Sequence, residues 1–456
     1  MAMKSQATLK LLTKLGPVAV LLLLIVMFSV MLRYDHQPQT PQHGTELARS
    51  IVSEYGVGAS VIVLTRPVDG DRPFGDAIEK ELAAQGVEAV QAFSGHPRQI
   101  REFLDVIAAN QAETVAVIAT NHPTATLKFL EQQKLRARGG PFASTAVMIP
   151  PSYPWSLFLT ADNFKNLLNN SSRIAIIAVG MTLVIITAGI DLSVGGVMAL
   201  ASVMTAVAIN SWFGGAEATF WGLVGGCAVG VGMGAACGLF NGMVTTFLRV
   251  PPFIVTLAMF MIAPGLAMWI ATGGSAVASP EAIDILAKSF HGLSTARPLG
   301  IPVPIYIVLA LYLLAHIVMT RTSFGRYVYA VGGNREAARL SGVPVFLVLI
   351  SVYTLCGAAA GLSGVIDASL FGGRPTGGNL YELQAIAAVV VGGTSIAGGE
   401  GRVTGTLIGT LIIAVIDSGL SQLGIGSYKL KVVFGALILA TVVLDQLKHR
   451  YASSAS

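Results

Sequence analysis

Three sets of residues in this 456-residue chain have the types and spacing to do chemistry. The first is SFGRYVYAVGGNREAARLSGVPV, residues 323–345. There Asn334 can cap a short helix by accepting from its opening N–H groups, and Gly342 and Pro344 stop it. Arg335 and Arg339 then sit four apart on one face, with Glu336 three from Arg339. A short charged helix of this kind is either a docking element or an ordinary solvated turn. The second set is polar residues on apolar stretches: Asp191 with Ser193, Asn241 and Gln384. Such groups cap helices and hydrogen-bond between them, or line a path for a hydroxylated solute where helices are broken. The third is Arg66, Asp69, Ser94, Asn121 and His122, each at the end of a strand-like run, where open parallel sheets hold ligands. None of the three is a catalytic constellation. Cys227, Cys237 and Cys356 all fall in apolar segments and read as small packing residues, so no disulfide or metal site is expected. No GxxxxGK[ST] occurs, so the chain has no P-loop for ATP.

The elements that must position these residues are set by composition. Only 12% of residues are charged and 53% are hydrophobic, with a mean hydropathy of +0.69. A soluble domain carries about 25% charged residues, so the deficit marks a membrane protein. The net charge of +5 is uneven. Residues 33–165 hold 14 of the 24 acids and 12 of the 29 bases, whereas the remainder is strongly basic, as expected of a soluble insert in a membrane protein. The basic residues are not clustered with aromatics between them, which argues against nucleic acid.

Apolar runs of about twenty residues, the length that crosses a bilayer, fall at 15–32, 172–190, 194–212, 221–247, 253–272, 302–319, 346–366, 384–398, 404–420 and 430–447. Ten spans place Arg249, the loop with Arg321, Arg326, Arg335 and Arg339, Arg402 and the tail at Lys448 on one side. By the positive-inside rule that side is the cytoplasm, with both termini. The loop at 273–301 and the insert then fall outside. Residues 166–456 contain 41 of the 51 glycines, so stretches such as GGCAVGVGMGAACG (225–238) read as helix-packing faces. Residues 34–47 read as a linker. Beyond it, strand-like runs at 59–66, 87–93, 114–120 and 144–150 alternate with helical patterns, which predicts a doubly wound parallel sheet. The expected fold is therefore an all-α polytopic membrane protein with an inserted α/β lobe: 1–33 the first helix, 34–155 the lobe with linkers, 156–450 the transmembrane domain.

The string GRYVYAVGGNREAARLSGVPV resembles the cytoplasmic coupling loop of ribose, xylose and galactose ATP-binding-cassette (ABC) permeases. AVGMTLVIITAGIDLSVGGVMAL (178–200), LFNGMVTTFLRVPPFIVTLAMF (239–260) and AIAAVVVGGTSIAGGEGRVTGTLIG (385–409) resemble other parts of the same family, in the right order. The resemblance covers Phe158 to Leu447 and the first helix. It implies that Asn334, Glu336, Ala337, Ala338, Arg339 and Gly342, with Arg335 between them, form the helix that docks into a groove on the ATPase subunit. It also implies a bacterial inner-membrane importer for a sugar or sugar-like solute, with a cytoplasmic ATP-binding subunit, a secreted sugar-binding protein and a second permease copy as partners. ATP and magnesium would sit on the ATPase, and this chain would carry no cofactor.

The insert departs from the family, whose members join the first two spans briefly. It resembles one lobe of a periplasmic sugar-binding protein, and it either docks the binding protein, holds a ligand weakly, or is decoration. The alternatives are an ion-coupled transporter, disfavoured because Asp191, Asp367, Glu382, Glu400, Asp417 and Asp445 all fall near expected span ends, and a membrane sensor, which would need an output domain. The identity of the solute is not encoded in any motif.

Overall fold

A computed structural model describes residues 2–68, 70–110, 114–156, 158–275, 279, 281–426, 429, 431–437, 439–440 and 443. Two compact units result, Arg33–Ser156 and the rest of the chain.

Helix α1, Ala2–Met31, carries the apolar stretch Gly16–Met31. The lobe then begins with β1 (Arg33–His36) and α2 (Pro41–Tyr55), so most of the expected linker is structured. Pro41 sits at the helix start, where its missing N–H has no intrahelical partner to lose. There follow β2 (Val61–Thr65), α3 (Asp71–Ala84), β3 (Val90–Ser94), α4 (Pro97–Asn110), β4 (Val117–Thr120), α5 (His122–Ala125), α6 (Gln132–Ala137), β5 (Ala146–Met148) and β6 (Tyr153–Ser156). The helix expected across 123–133 is instead the two short helices α5 and α6. Strands order β3-β2-β4-β5, all parallel, and β1 pairs antiparallel with β6 from Arg33↔Ser156 to His36↔Tyr153. That ribbon brings the two ends of the insert together, which lets about 120 residues be spliced between two helices.

Alternate residues of β2 face opposite sides. Val61 and Val63 pack on Leu47, Ile51, Phe74, Ile78 and Leu82 of α2 and α3; Ile62 and Leu64 pack with Ile100, Leu104, Leu135 and Phe142 on the other face. Burial on both faces is what a parallel sheet needs.

The second unit continues with α7 (Ala161–Ile186), α8 (Val194–Val207, extended by a π turn to Trp212), α9 (Phe220–Phe247), α10 (Pro252–Ala271), α11 (Gly292–Thr295), α12 (Val303–Arg321), α13 (Ser323–Gly333), α14 (Arg335–Leu340), α15 (Val345–Phe371), α16 (Tyr381–Val391) and α17 (Val403–Gln422). Seven of these, α7, α8 with its π turn, α9, α10, α12, α15 and α17, are long and apolar enough to cross a membrane. The apolar part of α1 and α16 are shorter. The last expected span, 430–447, lies partly outside the described residues, of which 431–437 are helical.

Two boundaries differ from the sequence reading. Helix α7 starts at Ala161 rather than 172, because Thr160 caps a polar turn by accepting from Asn163 N. The span expected at 384–398 is realised as α16 alone. Its 11 residues measure about 16 Å, roughly half of a 30 Å hydrocarbon core.

The bundle is held by backbone contact. Helices α9 and α15 meet along Gly230, Gly234, Gly238 and Gly242 on one side and Gly357 and Gly361 on the other. A methyl on Gly234 would collide with the Gly357 carbonyl, and one on Gly238 with the Tyr353 carbonyl. The glycine stretch 225–238 is thus a packing face. Beside them, Gly364 of α15 lies against the Met198 carbonyl and Ser202 N of α8. At 1.5 Å per residue in both helices, α8 starts about halfway along α15.

Candidate coupling helix and polar sites

The charged stretch folds as its capping signals require. Asn334 accepts from Ala337 N at 2.9 Å and opens α14; Gly342, at φ +84°, ends it, and Ser341 Oγ donates back to the Ala337 carbonyl. Glu336 and Arg339 form an ion pair, with Arg339 Nε donating to Oε2 at 3.2 Å. That hydrogen bond holds the Glu336 carboxyl below the usual carboxylate range. Both side chains are about two-thirds exposed, so the pair itself contributes little to stability. Ala338 is the buried anchor, while Asn334, Arg335, Ala337, Leu340 and Gly342 face outward with the charges. Leu340, 76% exposed, is an apolar knob beside a charged face, a composition suited to a groove on another protein.

This projecting helix rests on a rigid base. Helix α13 buries Gly325, Val328, Val331 and Gly332. Gly332 lies directly on the Ile186 carbonyl at the end of α7, with no room for a Cβ. The same carbonyl accepts from Gly399 N at 2.8 Å, and Tyr329 Oη donates to the Gly401 carbonyl at 2.8 Å. The Gly-rich run 392–402 is therefore a tight turn pinned to the end of α7 and to α13. Two backbone contacts, of Gly332 and of Gly399, thus meet at the Ile186 carbonyl, just ahead of the α7–α8 break.

Inside that break three of the four candidate path residues come together. Asp191 Oδ1 accepts from Ser193 N at 2.9 Å and Ser193 Oγ at 2.6 Å, and Asn241 Nδ2 of α9 donates to Ser193 Oγ at 3.0 Å. All three are buried. Asp191 closes a turn ahead of α8, and Ser193 occupies the cap position without a side-chain cap bond. Gln384 is not part of this group; it lies in the first turns of α16.

A second buried cluster was not singled out from sequence. Arg173 of α7 donates to Asp367 of α15 at 3.1 Å, and Arg374 binds the same carboxylate through Nε at 3.1 Å and Nη2 at 2.7 Å. Both guanidinium groups lie over the Phe371 ring, at 5.2 and 4.2 Å. Starting the span at 172 put Arg173 at an interface; a lone arginine and a lone aspartate within long apolar helices were the signal that they pair. Asp191 and Glu382, expected near span ends, are likewise buried in the bundle.

In the lobe, Arg66, Asn121 and His122 do fall at the carboxyl ends of β2 and β4, and Ser94 ends β3. Asp69 lies outside the described residues. Arg66, Asn121 and His122 already have structural work. Arg66 pairs with Asp71 at 3.2 Å, Asn121 caps α5 by accepting from Thr124 N, and His122 Nε2 is 2.8 Å from the Pro150 carbonyl. A groove of about 860 Å³ lies between α3 and the β3 edge, lined by residues that include Thr65, Arg72, Asp76, Glu79, Phe93 and Ser94. Burial and the neighbouring Asp76 push the Glu79 carboxyl up.

The family described as "Branched-chain amino acid transport system / permease component" matches residues 163–442, leaving the lobe outside the match. Ribose import permease protein RbsC of Escherichia coli (strain K12) is 44% identical over 295 residues, 64% of this chain and 88% of the relative. Its counterpart in Bacillus subtilis (strain 168) is 38% identical over 294 residues, 64% and 87%. Xylose transport system permease protein XylH of Escherichia coli (strain K12) is 32% identical over 348 residues, 64% and 87%. No solved structure matches the chain.

Proposed function

The chain belongs to the branched-chain amino acid transport system / permease component family, and from that premise we propose that it is the membrane subunit of an ABC importer for a sugar or sugar-like solute. The observation that carries this reading is α14: a capped, charged helix, exposed on all but one residue and seated through α13 on the end of α7. Asn334, Arg335, Glu336, Ala337, Ala338, Arg339 and Gly342 would meet the cytoplasmic ATPase, which carries the ATP and magnesium. The names of the reported relatives, ribose and xylose permeases, favour a pentose, and the D-allose transport system permease protein AlsC of Escherichia coli (strain K12), 35% identical over 291 residues, adds a hexose.

The finer reading is a multi-pass protein of the bacterial inner membrane with ten helices, counting α1, α16 as part of a span and the region from 430. Its termini lie in the cytoplasm with α14, and residues 34–155 lie outside, where a secreted binding protein delivers the solute to a permease homodimer. Asp191, Ser193 and Asn241 stand beside the path, and the lobe adds a contact for the binding protein.

Uptake by right-side-out or reconstituted vesicles tests this against ion coupling. Uptake should need ATP on the α14 side and persist when proton and sodium gradients are collapsed. Loss of uptake on adding an ionophore at constant ATP would overturn the reading.

A further inference from the structure

The segment between α15 and α16 lies within the bundle. Gly373 packs on Val203 and Ala206 late in α8, the Arg374 carbonyl accepts from Ser202 Oγ at 3.3 Å, and Gly378 lies on Gly195 at the start of α8. Residues 373–378 thus run alongside α8 over most of its length, and α16 begins level with the first turn of α8. That level is halfway along α15. Irregular backbone at such a depth is tolerated only where protein buries it or where it lines a wet path. Its outer part is tied down by Arg374 on Asp367, with Arg173 on the other side of the carboxylate. Its two flanking glycines, Gly372 and Gly378, have φ of +77° and +76°, and Leu380 is held at +70°.

Two helix starts converge at the inner end of this segment. Neither Ser193 at α8 nor Leu380 at α16 provides a side-chain cap. Between the starts is Glu382, 4% exposed. Its Oε2 occupies the place where a Cβ on Gly195 would stand, and it has no hydrogen-bond partner among the described residues. Asn241, which holds Ser193 at the start of α8, also keeps its Oδ1 without a partner there. A buried carboxylate oxygen without a donor is costly, while the positive ends of two helices favour keeping it ionised. What the level lacks is hydrogen-bond donors that bring no charge. A neutral polyol is a molecule of that kind.

We propose that Glu382 is a solute-binding residue: as 372–380 withdraws from α8, its Oε2, with Asn241 Oδ1 beyond the start of α8, accepts hydroxyls of a neutral polyol. The inference rests on the permease reading and names the contact within it. The Arg173–Asp367–Arg374 cluster is the anchor from which the segment moves, and the glycines at either end are its hinges.

The test uses the full chain reconstituted with its ATPase and binding protein, with D-ribose as probe. Glu382→Gln keeps the size and removes the charge. It should lower ribose uptake by more than about tenfold while subunit co-purification and the ribose-free ATPase rate stay within about twofold. Uptake within twofold of the parent chain overturns the inference and leaves the permease reading standing. An assembled parent that moves none of ribose, allose or xylose overturns both. Parent uptake that requires sodium at constant ATP, with the requirement lost in Glu382→Gln, replaces the polyol by a cation. Should Glu382→Gln fail to assemble, Thr376→Cys, at an exposed position of the segment, carries the test in a chain whose native cysteines are changed to alanine. Ribose with binding protein should slow its labelling by about threefold or more, and unchanged labelling overturns the proposal.

Discussion

The two units of this chain hold together by different means. In the lobe, large aliphatic and aromatic side chains fill the space on both faces of a sheet: Ile62, Leu64, Phe74, Ile78, Leu82 and Leu104 are almost entirely buried. In the bundle the tightest seam, α9 on α15, is made where side chains are missing, with carbonyls lying directly on opposing glycines. The difference follows from the solvent. Water rewards burial of apolar surface in proportion to its area. Lipid gives no such reward, so helices associate through close backbone contact, van der Waals packing and polar links. Size matters in the lobe; absence of size matters in the bundle.

The sharpest way to break that contrast is to add a side chain to the seam. Gly357→Leu puts a branched side chain against the Gly234 carbonyl and Gly238. Overpacking a rigid core costs about 1–3 kcal/mol and more when backbone must move; here both neighbours are backbone, so we expect loss of monodisperse protein in detergent. Gly232→Leu lies on the same helix as Gly234 but meets nothing within 4 Å, and it should behave as the parent. Equal behaviour of the two variants on size exclusion would remove the seam argument.

Next in size is the polar link. Asp367→Asn leaves Arg173, only 8% exposed, without its counter-charge. Breaking a buried pair by removing one partner costs about 3–5 kcal/mol. The expected outcome is a lower unfolding temperature of the bundle with the lobe transition unchanged. A shift in both transitions would mean that the two units do not melt separately.

Leu104→Ala applies the opposite pressure. It deletes a fully buried side chain between α4 and the sheet and should cost the lobe about 2–5 kcal/mol. Because Arg33–Ser156 is a compact unit with its own core, the isolated segment should fold and show this loss in chemical denaturation. Residual transport by the full chain should survive it. An isolated segment that is unfolded or insoluble would refute the independence of the lobe.

Legibility from sequence divides along the same line. The lobe strands were readable because short strand-like runs alternating with helical patterns are a local signal. The caps at Asn334 and Thr160 are local too, although only the first was used, and α14 falls where its capping pattern puts it. The half-length α16 was not readable. No charged residue interrupts 384–398, and only packing against α8 shows that the chain from Gly373 to Gly378 runs beside that helix before α16 begins. Arg173 and Asp367 were each visible, but their pairing joins residues 194 apart in sequence, and no periodicity encodes that. Asp191 was legible as a turn residue and not as the partner, through Ser193, of Asn241 on another helix.

The smallest expected effect on stability falls on α14, and there the contrast takes a third form: a helix whose charged face is exposed among the described residues. Asn334→Ala removes the acceptor for Ala337 N and should cost about 0.5–2 kcal/mol, confined to a six-residue helix. Glu336→Lys should cost less still, because the ion pair it breaks is exposed. Yet it converts Arg335–Glu336–Arg339 from net +1 to net +3 on the surface proposed to meet the ATPase. Like charges brought together at an interface cost several kcal/mol. Glu336→Lys should therefore leave the melting temperature and detergent behaviour of the parent and lose co-purification of the ATPase, whereas Asn334→Ala should weaken capture only in proportion to the fraying of α14. A charge-reversed lysine or arginine on the ATPase groove, changed to glutamate, should restore capture by Glu336→Lys and not by Asn334→Ala. Normal ATPase capture by Glu336→Lys would show that this face is the ordinary solvated turn that its exposure also permits.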